Sequence, residues 1–204
     1  MKKYVPALAM FAALCPWLCS CSSVNPEKAS SYSPTQVETY LNQSVFCEVL
    51  SQDVLGNALS MRVNFFGYSH HFEYRSFQCE VKGRRSGDSG DSSLLINYAA
   101  NGKLSNVGGR QKFDEIDGAG YAALNVAGTE GHGYIWFDSR NDNIHFAWLY
   151  PDGYVLDAVL FGNGFLYSAD DPAIDGMRLI ANAVIPAVPP VAAGSSQAYT
   201  SSVS

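Results

Sequence analysis

Residues 133–161, GYIWFDSRNDNIHFAWLYPDGYVLDAVLF, contain three runs that are rich in aromatic and β-branched residues. Such runs are typical of strands. The two segments between them, 138–143 and 151–153, consist mostly of Asp, Asn, Pro and Gly, which favour turns. The stretch therefore predicts a β-meander, with strands at 133–137, 144–150 and 154–161.

Alternation along this meander predicts which side chains share a face. Successive residues of a strand point to opposite faces of its sheet, so one face collects large apolar groups from two neighbouring strands. These are Ile144, Phe146, Trp148 and Tyr150, together with Tyr154, Leu156, Ala158 and Leu160. We interpret this stripe as core beneath a helix, and a pocket for a lipid or glycan is the alternative.

The rest of the chain adds more strands and a closing helix. Strand-like runs lie at 61–66, 71–81, 94–99 and 121–126, with a polar loop at 83–93. Residues 101–120 predict an irregular connection with a short helix near 113–116. Asp171 as cap and Pro172 in the first turn predict a final helix that ends at Pro186. Its apolar stripe is Ile174, Met177, Ile180, Ala181 and Val184.

Short helices are predicted ahead of the strands. Ser33 and Pro34 resemble a helix start, the spacing of Val45, Phe46, Val49 and Leu50 is helical, and Ser51 can cap a turn that stops at Gly56. This order of elements, with short helices first, then strands and then a final helix, predicts an α+β fold. We expect a twisted antiparallel β-sheet with short N-terminal helices and a C-terminal amphipathic helix packed on one face.

The first 21 residues have the pattern of a bacterial lipoprotein signal. Lys2 and Lys3 precede an uncharged, mostly apolar run that is shorter than a membrane-spanning helix, and Leu18-Cys19-Ser20-Cys21 follows. Only Cys21 has a small residue before it and a leucine three positions upstream. We therefore expect lipidation of Cys21, palmitate among the acyl chains, and an extracytoplasmic location on the cell membrane. Ordinary secretion with cleavage nearby is the alternative.

The chain is therefore predicted to have four parts: a signal peptide at 1–20, a flexible tether at 21–33, one domain at 34–186 and a disordered tail at 187–204. Loss of the signal leaves 11 basic against 19 acidic residues, a net charge of −8. Such a charge repels nucleic acid, so no nucleic-acid partner is expected. The membrane, through the lipid anchor, is the expected partner.

Two cysteines remain in the predicted domain, Cys47 and Cys79. An even pair in an oxidising compartment predicts a disulfide. A reactive thiol or a metal pair is the alternative, but neither residue has a His or Cys at ligand spacing.

His145 and Asp157 are the candidate catalytic pair. Counting back from the turn at 151–153 places His145 opposite Val159, and Asp157 is then its diagonal neighbour on the same face. An aspartate can orient a histidine that acts as a base. No Ser or Cys nucleophile lies beside them, and a structural hydrogen bond is the alternative.

Other motifs predict neither a metal nor a cofactor. His70 and His71 point to opposite faces of a strand and cannot share an ion. His132 lies between two glycines and is expected to be solvated. The acidic segments 88–91 and 138–143 lack the spacing of a calcium loop. No phosphate-binding, zinc-protease or serine-hydrolase motif is present.

Several of these segments resemble the DUF3558 family of actinobacterial lipoproteins. They are residues 46–56 (FCEVLSQDVLG), Phe77-Gln78-Cys79, residues 118–123 (GAGYAA) and the closing amphipathic helix. In that family one cysteine opens a helical segment, and a second lies in a strand ahead of a meander. Val81 stands where the family tends to have Trp. The similarity covers about residues 40–186.

The resemblance implies a fold like that of the Mog1/PsbP group, a Cys47–Cys79 disulfide and a location in a Gram-positive cell envelope. The family has no agreed activity, whereas Mog1-like and PsbP-like proteins act as binding or assembly factors. We therefore favour a non-enzymatic role, binding an envelope protein or a lipid or glycan ligand. A lipid carrier with a pocket between sheet and helix, or a hydrolase, is the alternative. Aromatic residues outside the meander would form the binding surface: Phe65, Phe66, Tyr68, Phe72 and Tyr74.

Overall fold

Strands dominate the computed structural model, which describes residues 40–107, 110–163 and 165–203. Two α-helices lie in these residues, α1 (Gln52–Leu59) and α2 (Ala173–Ala192). The strands are β1 (Val45–Phe46), β2 (Leu50–Ser51), β3 (Met61–His71), β4 (Ser76–Arg85), β5 (Asp91–Ala99), β6 (Lys103–Val107), β7 (Arg110–Lys112), β8 (Ala122–Leu124), β9 (His132–Asp138), β10 (Asn143–Leu149), β11 (Val155–Gly162) and β12 (Gln197–Ser202).

Eight of these strands form one antiparallel sheet in the order β12-β3-β4-β5-β11-β10-β9-β8. The α+β class is confirmed. The meander is also confirmed as β9, β10 and β11, and the Tyr150 N–H donates to the Tyr154 carbonyl across the turn at 2.9 Å. His145 lies opposite Val159, as the turn predicts.

The helices pack on one face of the sheet, which we call the inner face. Met177, Ile180 and Val184 of α2 are fully buried in one cluster with Phe146 and Leu156 of the meander. The predicted core stripe is therefore confirmed except for the half-buried Tyr154, and the predicted α2 stripe is buried except for the partly exposed Ile174. Burial of apolar area stabilises this layer by about 25 cal/mol per Å².

The opposite face, which we call the outer face, is only partly covered. The β6–β7 hairpin and the 3₁₀ turn Phe113–Glu115 lie over β10 and β11. Leu104, Phe113 and Ile116 form a second buried cluster there with Trp136, Ala147 and Val155. The predicted short helix near 113–116 is this 3₁₀ turn, and strands β6 and β7 replace part of the predicted irregular connection.

The helix predicted around Cys47 is wrong. Residues 45–51 form the short β1–β2 hairpin, in which Phe46 pairs with Leu50. Cys47 and Glu48 have φ angles of 51° and 63°, a left-handed conformation that no α-helix contains. A tight hairpin also brings residues i and i+4 together, so the apolar spacing could not distinguish the two structures.

Helix α1 begins as predicted, because the Ser51 hydroxyl accepts a hydrogen bond from the Val54 N–H at 3.1 Å. The predicted end at Gly56 is wrong. The helix continues to Leu59 and ends at Ser60, which adopts a left-handed conformation. The helix start predicted at Ser33 and Pro34, the signal at 1–20, Cys21 and the tether at 21–33 lie outside the described residues.

The loop between β4 and β5 is shorter than predicted. Strand β4 continues to Arg85 and β5 begins at Asp91, so five residues connect them rather than the predicted 83–93. Asp91 pairs with Arg84 across the strands, and its carboxylate accepts a hydrogen bond from the Arg84 Nε at 3.2 Å. The ion pair between Arg84 and Asp91 on the outer face therefore lies within β4 and β5, in a polar segment that predicts a loop.

The C-terminal boundary also differs from the prediction. The Asp171 carboxylate accepts a hydrogen bond from the Ala173 N–H at 2.8 Å, as expected of a cap. However, α2 passes Pro186, Pro189 and Pro190 and ends at Ala192, so the predicted end at Pro186 is wrong. Residues beyond 187 complete α2 and then form β12, which pairs with β3, so the expected disordered tail is wrong for the described residues.

A tertiary contact compensates for one of these prolines. In an α-helix the carbonyl of residue 185 would accept a hydrogen bond from the N–H of residue 189, but Pro189 has none. The Tyr150 hydroxyl donates to the Ile185 carbonyl instead, at 2.6 Å. Val188 and Ala192 are fully buried, so the apolar stripe continues beyond the first proline.

Candidate functional site

His145 and Asp157 lie on the outer face, beneath the β6–β7 hairpin. Each is only 1% exposed. The His145 ring stacks on Trp136 with centroids 5.3 Å apart, and the Asp157 carboxylate accepts a hydrogen bond from the Ser105 N–H of β6 at 3.1 Å. A substrate cannot reach this pair without displacement of the residues that cover it. Asp157 therefore holds β6 to the sheet, and the buried pair is not placed to act on a solvent-borne substrate.

An open groove lies beside this buried pair, on the part of the outer face that the hairpin leaves uncovered. We call it the outer groove. Its volume is about 480 Å³, which is within the range of small-ligand pockets. Strands β12, β3, β4 and β5 form its floor. The side chains that the sheet alternation points into it are Phe65, Ser69, Gln78, Glu80, Leu95, Asn97, Ala198 and Thr200.

A row of polar residues crosses the floor of the outer groove at one register. Ser69 pairs with Gln78, Gln78 with Asn97, and Asn97 with Asp157. Side chains at directly paired positions lie about 4.5–5.5 Å apart. The row therefore continues from the open groove into the buried position of Asp157.

The neutral members of this lining have no hydrogen-bond partners within the described chain. These are Ser69, Gln78, Asn97 and Thr200. Asn97 is distinctive because it is buried, with 8% of its surface exposed. Its side-chain amide is nevertheless accessible from the open groove, so a ligand can replace water as its hydrogen-bond partner.

One end of the outer groove carries a ring and an ion pair. Lys82 lies 3.0 Å from the Glu80 carboxylate and 4.8 Å from the centre of the Phe65 ring. The ammonium group thus offsets the single acidic side chain of the lining. The groove is close to neutral and has both apolar and hydrogen-bonding surface.

Cys47 and Cys79 lie at disulfide distance, with Cα atoms 5.9 Å apart, as predicted. The bond attaches the tip of the β1–β2 hairpin to the inner face of β4. Beside it, the Tyr68 hydroxyl donates to the Glu48 carboxylate at 2.7 Å. Burial and then this carboxylate raise the pKa of Tyr68 to about 12. His70 is 3% exposed, and its Nε2 lies 3.8 Å from the same carboxylate.

The remaining sequence candidates are dispersed. His71 is exposed whereas His70 is buried, so the two histidines do not share a site. His132 is exposed at the start of β9. Burial acts to raise the pKa of Asp138, but hydrogen bonds from Arg140 and Asn141 outweigh it, and the pKa is lowered. The Asp138 carboxylate therefore bonds within its own turn.

The five aromatic residues expected to form a surface separate into two groups. Phe72 and Tyr74 are 60% and 69% exposed at the end of the sheet where β3 joins β4. Phe66 is buried, and Phe65 and Tyr68 are half-buried. The exposed part of that predicted surface is therefore two rings.

No cluster of three or more potential metal ligands occurs in the described residues. Within the same residues, neither α-helix has the length and apolar composition needed to cross a membrane. Comparison with protein-family models, with curated proteins and with solved structures finds no match to this chain.

The sequence did not predict the outer groove. Its lining combines the consecutive strands β3, β4 and β5 with β12 from the far end of the chain, and Asn97 is a single polar residue in an apolar run. The one available signal is the alternation of side chains along a strand. Gln78 and Asn97 each lie next to buried core residues in sequence, so their side chains point to the opposite face. That signal identifies a solvent-facing strand surface, but it does not reveal which polar residues meet.

Proposed function

We propose that this chain is a lipid-anchored cell-envelope protein that binds an extracytoplasmic ligand in the outer groove and catalyses no reaction. The proposed binding role rests on one observation. Four neutral side chains that have no hydrogen-bond partner in the described residues line the open groove, whereas the adjacent titratable pair His145 and Asp157 is buried. Binding needs accessible complementary groups, and acid–base catalysis needs an accessible base.

The anchor is proposed from the sequence around Cys21, and the Cys47–Cys79 pair supports an oxidising compartment. We also propose membership of the DUF3558 family with a Mog1/PsbP-like fold. An antiparallel sheet with its closing helix on one face, and a disulfide between the two expected cysteines, support this assignment.

The space between the sheet and α2 is a less favourable ligand site. Side chains fill it, and Ile180, Val184 and Phe146 are fully buried there. A carrier of the lipid type would need to open this layer, at the cost of its packing. The outer groove needs no such rearrangement.

The anchor is tested by metabolic labelling of the full chain with radioactive palmitate. We expect incorporation into the wild type and into Cys19→Ser, but none into Cys21→Ser. Cys19 is the matched control because it lies two residues away and follows a bulky leucine. Equal labelling of all three chains, or no labelling of the wild type, would reject the anchor.

Binding is tested by native mass spectrometry of the full lipidated protein extracted from its own membranes. We expect a bound mass in the wild type that is lost in the double variant Gln78→Ala/Asn97→Ala. Ser139→Ala is the control, since Ser139 is an exposed polar residue in the turn between β9 and β10. A bound mass retained by the groove variant, or absent from the wild type, would reject the groove as the site.

A second candidate function is docking of an envelope protein at the exposed rings of Phe72 and Tyr74. Its support is their exposure of 60% and 69%, since aromatic residues are enriched in protein interfaces. A photo-crosslinking amino acid at position 72 of the membrane-bound chain should capture a protein, and the same group at position 179 should not. Leu179 is a suitable control because it is 53% exposed on α2. Capture at both positions, or at neither, would contradict this function.

A further inference from the structure

The four neutral hydrogen-bonding side chains of the outer groove are all amides or hydroxyls. Two are amides, Gln78 and Asn97, and two are hydroxyls, Ser69 and Thr200. Amides and hydroxyls each donate and accept hydrogen bonds. A ligand that matches all four must itself carry several groups that both donate and accept, and the neighbouring hydroxyls of a sugar have that property.

The charge of the groove argues against an anionic ligand. Glu80 is the one charged residue among those that line it, and Lys82 is already paired with Glu80 at 3.0 Å. Phosphate and carboxylate ligands are recognised by arginine forks or lysine ammonium groups, and no arginine or unpaired lysine is among the residues that line this groove. The chain as a whole has a net charge of −6, which further repels anions.

The groove also has apolar surface. Leu95 and Ala198 lie beside the polar row, and Phe65 lies at the end of the groove near Lys82. Apolar side chains beside amide and hydroxyl groups suit a ligand with an apolar face and polar edges. The C–H face of a pyranose ring has this character, whereas an acyl chain would leave the four polar groups unpaired.

From these observations we propose that the outer groove binds a neutral saccharide, an inference that rests on the proposed function of this groove. Asn97 lies on β5, at the side of the groove that borders the buried Asp157. Its side-chain amide has no hydrogen-bond partner in the described protein, and a sugar hydroxyl would bond to it. Gln78, paired with it across the strands, would bind an adjacent hydroxyl.

The test uses the full lipidated protein in detergent micelles and an array of neutral oligosaccharides built from hexoses, pentoses and N-acetylhexosamines. Parallel probes are phosphorylated and uronic-acid oligosaccharides and vesicles of phosphatidylglycerol. We expect binding of at least one neutral oligosaccharide, weakened about tenfold or more by Asn97→Ala and by Gln78→Ala, a loss of about 1.4 kcal/mol. Ser139→Ala should leave the affinity unchanged.

Gln78 is exposed, so its variant keeps the proposal testable if Asn97→Ala does not fold. Binding of only the anionic probes or only the vesicles would overturn the proposal, as would neutral binding that both groove variants retain. Absence of any neutral binding would also overturn it. If native material still loses its bound mass in the groove variant, the proposed function stands and only the saccharide assignment fails.

Discussion

The hydrogen bond from Tyr150 to α2 provides a quantitative test of how this fold tolerates a proline-rich helix. The Tyr150 hydroxyl donates to the Ile185 carbonyl at 2.6 Å, in a position where Pro189 cannot. Tyr150 is 8% exposed and Ile185 is fully buried, and burial raises the pKa of Tyr150, so the hydroxyl keeps its proton. Removal of this hydroxyl leaves a buried carbonyl without a donor.

We expect Tyr150→Phe to lower the free energy of unfolding by about 2 kcal/mol, within the range of about 1–3 kcal/mol for an unsatisfied buried group. In a Pro189→Ala background the new N–H of residue 189 can bond to the Ile185 carbonyl. There the same substitution should cost less than about 1 kcal/mol. The double-mutant cycle should therefore give a coupling free energy of about 1 kcal/mol or more.

Urea unfolding followed by circular dichroism measures all four free energies. Tyr154→Phe is the matched control, because the Tyr154 hydroxyl makes an exposed bond of 3.5 Å to the Tyr74 carbonyl. We expect that control to cost less than about 0.5 kcal/mol. An equal cost of Tyr150→Phe in both backgrounds would refute the idea that Tyr150 substitutes for the missing N–H.

Three further predictions concern the disulfide, Tyr68 and β12. Cys47→Ala/Cys79→Ala should lower the free energy of unfolding by about 4 kcal/mol, because the bond closes a loop of 33 residues at a sequence separation of 32; urea unfolding would contradict this if the variant lost less than about 1 kcal/mol. Tyr68 should titrate near pH 12 by ultraviolet absorbance, and Glu48→Gln should lower that pKa. Since the folded pKa lies above the usual 10, this contribution to stability is present below pH 10 and lost as the pH rises towards 12. Deletion of residues 197–204 should cause self-association, measured by light scattering, because it exposes the edge of β3 and the Phe66 ring. The centre of that ring lies 5.4 Å from the centre of the Tyr199 ring. A monomeric deletion variant would show that β12 does not protect this edge.

Sequence reasoning succeeded where the signal was local. The turn at 151–153 sets the pairing of Tyr150 with Tyr154, and each further pair along β10 and β11 then follows from strand geometry. Ser51 and Asp171 begin their helices through bonds to N–H groups two or three residues away. These interactions depend on neighbouring residues, so a single stretch of sequence contains the information.

The errors occurred where distant parts of the chain determine the conformation. Cys47 occupies a hairpin tip that is bonded to Cys79 on β4, although its own neighbourhood has helical spacing. Helix α2 passes Pro189 because Tyr150, which lies about 40 residues earlier, supplies a donor. In both cases a tertiary contact outweighs local propensity.

The amino-acid sequence alone thus determined the strand register of the meander, the buried stripes and the pairing of His145 with Val159, because alternation and turn chemistry act between near neighbours. It did not determine that His145 and Asp157 are buried or that Asn97 faces an open groove. Those outcomes depend on where the β6–β7 hairpin lies on the outer face and on which four strands meet beside it. Accessibility is a property of the assembled surface, and only the folded chain brings those distant segments together.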